Sequence, residues 1–240
     1  MKMTNYLLGY RDMYIVQNPS MFKFSLDSVL LPNFATINKT AKNILDIGTG
    51  NAPIPLILSR KTPAHILGVE VQKDIYDMAV ESVKINKLEN QIDIVNADIK
   101  DYYKTLDVKY DVITCNPPYF KINENSNKND SVYKTIARHE VLLNLEDIMK
   151  ISRSILKTNG FLSIVHRPDR LVDIIMLMKE NNIEPKKIQF VYPKKGMEAN
   201  ILLIEGTLNG KPGIKVLEPL YVYDEDGNYT EEIEKYFVDE

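Results

Sequence analysis

Asn116, Pro117, Pro118 and Tyr119 stand together in the stretch "TCNPPYF", directly after "YDVIT", which reads as a buried strand. Two consecutive prolines remove two backbone donors and bias the residue before each away from the helical region. The strand therefore stops there and the chain stays extended and stiff. Such a segment holds its acceptors in fixed directions. The Asn116 side-chain oxygen and the Pro117 carbonyl are suited to receive two N–H bonds, and the Tyr119 ring can stack on a flat partner. A turn that merely ends a strand is the bland alternative, and the rest of the sequence has to decide between the two.

A second group of residues lies upstream. In "DIGTGNAP", Gly48 and Gly50 let the backbone turn tightly and approach a ligand with no side chain in the way. A dinucleotide site would carry a third glycine where this chain has Pro53, so the pyrophosphate-binding fingerprint is broken. Glu70, in "GVEV" twenty residues beyond Gly50, can accept both hydroxyls of an adenosine ribose. Asp98, in "NADI", can accept from an adenine amino group. Each acid alone is more often a surface residue. Together they describe a nucleoside site without a place for pyrophosphate.

The elements that must carry these residues alternate. "KNILDI", "HILGVEV", "QIDIVNADI", "YDVITC" and "FLSIVH" read as strands. Helical spacing follows the glycine turn in "GTGNAPIPLILSRK" and recurs in "KDIYDMAVESVKINKL". It returns in "LEDIMKISRSILK", which Asn159-Gly160 should end, and in "PDRLVDIIMLMKEN". "KIQFVYP" and "NILLIEGTL" close the series as two strands with no helix between them. The fold expected is α/β: a seven-stranded, mostly parallel sheet with one antiparallel strand in a terminal hairpin. This arrangement is similar to the Rossmann-like class I methyltransferases over roughly residues 40 to 206. The ligand with a nucleoside and no pyrophosphate is then S-adenosylmethionine. Its expected contacts are Asp46, Gly48, Gly50, Glu70 with its neighbour Val71, Asp98 with its neighbour Ala97, and Asn116.

After such a site, "NPPY" resembles the [N/D/S]-P-P-[Y/F/W] motif of methyltransferases acting on exocyclic or amide nitrogen. An aromatic amino group is a poor nucleophile because its lone pair is delocalised into the ring. Two acceptors on its N–H groups favour a more pyramidal nitrogen with an available lone pair. Asn116, Pro117, Pro118 and Tyr119 are the expected catalytic set, with Tyr119 clamping the base once it has left its neighbours. The sulfonium donor is activated, so no strong base is needed. The upstream "FKFSLDSVLL" resembles the segment that closes over the methionine end of the cofactor in N6-adenine enzymes, with Asp27 as candidate. A helix N-cap at Ser25 or Asp27 explains the same residues.

Several substrate classes share the tetrapeptide. Release-factor glutamine enzymes carry a sizeable helical domain before the cofactor motif, where this chain has about forty residues. DNA adenine enzymes usually add a target-recognition domain, and the guanine-N2 enzymes of ribosomal RNA tend to duplicate theirs. What remains resembles the tRNA1(Val) adenine-37 N6-methyltransferase family, Gram-positive-type branch, on "NPPYF", "ARHE", "HRPDR" and "EAN". The resemblance implies a tRNA partner and RNA-facing Arg138, His139, Arg167 and Arg170, the basic ones neutralising phosphates. Arg138 paired with Glu140 is the competing account. The chain departs from the family at Asn51 and Ala52, where members carry a second small or Gly residue. A non-catalytic module of this fold would be expected to lose Asn116 or the strand-end acids, and both are present. A small-molecule or protein amine methyltransferase would work without RNA.

At 240 residues one large domain is the prior. The division expected is an irregular segment 1–40 packing over the cofactor site, a methyltransferase domain 41–206 and an acidic extension 207–240. No apolar run approaches a membrane span, and "MKMTNYLLGYRDM" lacks a signal-peptide apolar region. The lone Cys115 excludes an internal disulfide and fits a reducing cytoplasm. No metal and no obligate protein partner are expected. The formal charge of −3 hides an asymmetry: Lys150–Lys195 carries +6, a solvated face or a phosphate surface, and Glu218–Glu240 carries −8, read as a solubilising tail.

Overall fold

Seven runs rich in Ile, Leu and Val form the long strands of one sheet. They are β3 (Asn43–Ile47), β4 (His65–Glu70), β5 (Ile92–Asn96), β6 (Tyr110–Cys115), β7 (Leu156–His166), β8 (Ile183–Tyr192) and β9 (Ile201–Leu208). The structure, a computed structural model, describes residues 2–10, 12–18, 25–117 and 143–237. Across the sheet the order is β8-β9-β7-β6-β3-β4-β5. β9 alone runs antiparallel, between β7 and β8. The mostly parallel sheet with a terminal hairpin is the one the alternation predicts. β10 (Lys215–Val216) and β11 (Leu220–Tyr221) extend it at the β8 edge.

Strands buried on both faces need helices on both. On one face lie α1 (Asp27–Phe34), α2 (Pro53–Lys61) and α3 (Lys73–Ile85), whose apolar residues share a core with Ile44, Ile66, Val112, Val165 and Leu203. On the other face α5 (Leu145–Ile155) and α6 (Leu171–Glu180) cover Leu45, Ile113, Leu162, Ile164 and Ile204, the alternate strand positions. The short α4 (Ile99–Tyr102) follows β5. Among the described residues no helix is long and apolar enough to cross a membrane.

Three expectations need correction. The first forty residues are not irregular: β1 (Met3–Tyr6) and β2 (Tyr14–Gln17) pair as an antiparallel hairpin, and α1 follows. The hairpin is held by side chains, since Val16 N donates to Ser82 Oγ and Asn51 Nδ2 donates to Val16 O, each at 2.9 Å or less. The acidic extension is more than a solubilising tail. Leu220, Val222 and Ile233, the last on α7 (Glu231–Glu234), are buried, and the Phe237 ring meets Tyr10 edge-on at 6.3 Å. Finally, α5 ends at Ile155, and Asn159 (φ 64°) and Gly160 lie within β7 beside an irregularity in its pairing with β6.

Candidate cofactor and substrate site

Parallel strands bring their carboxyl ends to one edge, where the loops that follow them meet. After β3, Gly48 (φ 67°) and Gly50 (φ 60°) adopt the left-handed conformation, and a Cβ on either would project into open space. The turn is tied to the next strand: Gly48 N and Thr49 N both donate to Val69 O, at 3.0 and 3.1 Å. Glu70 completes the tie. Its Oε2 accepts from Gly50 N at 3.0 Å and its Oε1 from Gln72 N at 2.8 Å. At the end of β5, Asn96 Nδ2 donates to the carbonyls of Glu70 and Val71, and Ala97 N donates to Glu70 O. Asp98 caps α4, its Oδ1 accepting from Lys100 N at 2.9 Å.

Beneath the turn, Asp46 is fully buried on β3 and accepts from Thr114 Oγ1 of β6 at 2.6 Å. Burial pushes its pKa up to about 7, against the opposing pull of the Thr114 and Thr49 hydroxyls, and the nearby Glu70 charge adds to the rise. Asp46 Oδ2 and Thr49 Oγ1 are buried without a well-formed hydrogen bond. Open space over two glycines and the strand-end carboxylates Glu70 and Asp98 are what a cationic nucleoside ligand would fit. Among the described residues no cluster of metal-ligating side chains occurs.

β6 ends at Cys115, so Asn116 and Pro117 sit beside the glycine turn on the neighbouring strand. Asn116 Nδ2 donates to Ser28 Oγ at 3.2 Å, which brings the first turn of α1 against the motif. Asp27 is buried there, in the first helical turn. The cap position is Leu26 with no side-chain cap, so neither Ser25 nor Asp27 serves as N-cap. The expected cofactor residues Asp27, Asp46, Gly48, Gly50, Glu70, Val71, Ala97, Asp98 and Asn116 thus share one edge of the sheet. Pro118, Tyr119, Arg138 and His139 lie outside the described residues. Arg167 is exposed just past β7, while Arg170 is ion-paired to Asp173 at 2.7 Å.

Three residues at this edge escaped the sequence reading. Thr114 could have been found as a polar residue inside an otherwise apolar strand. Ser28 carried no signal, since its partner is 88 residues away. His166 is buried at the end of β7, its Nδ1 accepting from Arg167 N at 2.8 Å. Burial and the Arg170 charge lower its pKa to about 4, so it is neutral and offers phosphates no cation.

A doubly covered sheet in this strand order, with its glycine turn and strand-end acids at the carboxyl edge, defines a Rossmann-like methyltransferase. Residues 15–181 match the methyltransferase small domain, and the chain belongs to that family. It is 27% identical to the tRNA1(Val) (adenine(37)-N6)-methyltransferase of Parabacteroides distasonis, over 85% of this chain and 84% of that protein. It is 28% identical to the protein of the same name from Aliivibrio salmonicida, over 85% and 84%. The crystal structure of a predicted O-methyltransferase from Agrobacterium tumefaciens shares the fold, with a TM-score of 0.69 at 17% identity over 88% of this chain and 95% of that one.

Proposed function

We propose that the protein transfers a methyl group from S-adenosylmethionine to N6 of an adenine in tRNA, at position 37 beside the anticodon. One observation carries the reading: Asn116 and Pro117 leave β6 directly beside the turn that Gly48, Gly50 and Glu70 build. When bound, the cofactor supplies an activated methyl on a sulfonium. Glu70 would hold its ribose hydroxyls, Asp98 its adenine amino group, and Asp27 with Asp46 its methionine end, flanked by Val71 and Ala97. Asn116 Oδ1 and the Pro117 carbonyl would each accept one N–H of the adenine amino group. Pro118 would keep that carbonyl in place by its ring constraint, and Tyr119 is the residue of the motif suited to stack on the base. The proton leaves after transfer, so no side chain need remove it first.

The named relatives support tRNA as partner, and "NPPYF", "ARHE", "HRPDR" and "EAN" support the Gram-positive-type branch. Adenine in a loop is splayed out at lower cost than adenine in a duplex. Arg138, His139, Arg167 and Arg170 would face the RNA, and a tRNA substrate supports a cytoplasmic location. Residues 1–40 would brace the cofactor side, 41–206 would form the transferase, and 207–240 would strap it. The test is methylation of total tRNA from a strain lacking this gene, followed by nucleoside mass spectrometry. N6-methyladenosine next to the anticodon is the expected product. A methyl group on protein glutamine or duplex DNA instead would refute the substrate and leave the fold intact.

A further inference from the structure

We propose that the hairpin of β1 and β2 is a positioning element of the cofactor site, coupled to the glycine turn through Asn51, so that cofactor binding and hairpin docking strengthen each other. The inference rests on the methyl-transfer reading above. β2 pairs with β1 along one edge. Along its other edge, side chains take the place of a strand. Asn86, at the end of α3, accepts from Tyr14 N at 2.9 Å and donates to Tyr14 O at 2.7 Å. The buried Ser82 Oγ accepts from Val16 N at 2.9 Å, and the buried Asn51 Nδ2 donates to Val16 O at 2.8 Å. The sense of that last bond is fixed, because a carbonyl oxygen can only accept. Asn86 and Ser82 hold the hairpin to α3. Asn51 alone of the three belongs to the glycine turn.

The turn has little stiffness of its own. Gly48 and Gly50 are the residues that lose most conformational freedom on ordering. Ala52 (φ 72°) is held in the left-handed region, which alanine seldom adopts, and such strain persists only where the surroundings impose it. From within the main sheet, Val69 O and Glu70 Oε2 hold Gly48, Thr49 and Gly50. Asn51, between Gly50 and Ala52, adds a tie to β2, which belongs to a separate two-stranded sheet. A backbone fixed before the ligand arrives binds it without the cost of ordering the turn. Gly50 N is also one of the two backbone donors that orient the Glu70 carboxylate, so a shift at Asn51 passes to the residue expected to hold the ribose. The connection works in both directions. A ligand that orders the turn also orders the anchor of β2.

In calorimetry, Asn51→Ala should raise the Kd for S-adenosylmethionine about fivefold to tenfold. Amide hydrogen exchange supplies the reciprocal reading. In wild-type protein, saturating S-adenosylmethionine should slow exchange of the Tyr14 and Val16 amides by a similar factor beyond its effect on α5, which packs on the opposite face of the sheet. In Asn51→Ala at saturation, the hairpin and α5 should respond alike. A side chain that only stabilised the fold would lower the melting temperature of Asn51→Ala and leave both the Kd and the hairpin's response to cofactor unchanged. An unchanged Kd in folded Asn51→Ala, or wild-type Tyr14 and Val16 amides that respond no more than α5, overturns the coupling. The wild-type comparison needs no variant, so it decides the matter even where Asn51→Ala does not fold. Wild-type protein that binds no S-adenosylmethionine overturns the functional reading itself, a result distinct from binding without the exchange effect.

Discussion

Asp46 shows how one buried side chain couples the site to stability. Its pKa rises from an ordinary 3.8 to about 7 in the folded protein because burial disfavours the charge. Below pH 4 both states are protonated and the native state is favoured. Between pH 4 and 7 the unfolded chain releases the proton while the folded one keeps it, so stability falls, and above about 7 the loss is complete. Asp46→Asn has no such proton. Its stability relative to wild type should therefore rise by roughly 2–4 kcal/mol between pH 4 and 7 in urea melts, and a pH-independent difference would contradict the buried acid. Glu70→Ala should weaken S-adenosylmethionine binding by about 1–3 kcal/mol in calorimetry. It should also lower the melting temperature, since Gly50 N and Gln72 N lose their acceptor. Retained affinity would remove Glu70 from the ligand. Asn116→Ala should instead cut turnover by about two orders of magnitude and leave cofactor affinity nearly intact. Turnover near wild type would make the motif structural. The residue types of the turn and the motif were legible because glycine and proline impose backbone geometry locally. Thr114 against Asp46, Ser28 against Asn116 and the backbone bonds of Glu70 were not, because they depend on how strands and α1 come together.

At the scale of elements, the helices between strands were readable from their apolar spacing, although α2, α3 and α6 carry no side-chain N-cap. α5 starts at a capping box in which Asn144 accepts from Asp147 N at 2.9 Å, and Asn144→Ala should cost about 1 kcal/mol. Its other end was misplaced for a physical reason. Asn159 and Gly160 carry the composition of a helix stop, yet the positive φ at Asn159 is used inside β7. The two chain ends were legible least, because each is ordered by the other. Gly9 (φ 80°) lies against Phe237, and a Cβ there would stand 1.9 Å from the ring. The buried Ile233 and the edge-on contacts of Phe237 with Tyr10 and Tyr229 continue the same junction. Gly9→Ala should therefore destabilise the protein by about 1–3 kcal/mol, from backbone strain and displacement of the ring. Phe237→Ala should relieve the part of that cost due to the clash, so the double variant should lose less than the sum of the two. Strict additivity in urea melts would show that the two ends do not meet.

At the scale of the whole molecule, the charge asymmetry seen in the sequence shrinks once partners are counted. Of the ten basic residues from Lys150 to Lys195, five are ion-paired: Lys150 with Glu146, Lys157 with Asp111, Arg170 with Asp173, Lys179 with Glu184 and Lys187 with Glu205. Lys186 and Lys194 donate to backbone carbonyls. A count along the chain cannot show this, because four of the five paired acids lie at least four residues away and two of them on other strands. Arg153, Arg167 and Lys195 form no ion pair among the described residues, and they divide by edge. Arg153 is in the last turn of α5, which delivers the chain to the amino end of β7. Arg167 follows the carboxyl end of β7, and Lys195 lies in the β8–β9 turn at that same end, since His166 pairs with Leu202 and Val191 with Ile201. Of these three, Arg167 and Lys195 thus lie at the edge that carries Asn116. Each neutralised phosphate adds about 0.7–0.9 to the slope of log affinity against log salt. Arg167→Glu should therefore raise the apparent KM for tRNA, lower that slope by about 1, and leave the Kd for S-adenosylmethionine unchanged. Arg153→Glu changes net charge by the same amount at the opposite edge and should alter neither quantity. Equal effects from the two variants would mean that the RNA responds to overall charge and not to the carboxyl edge of the sheet.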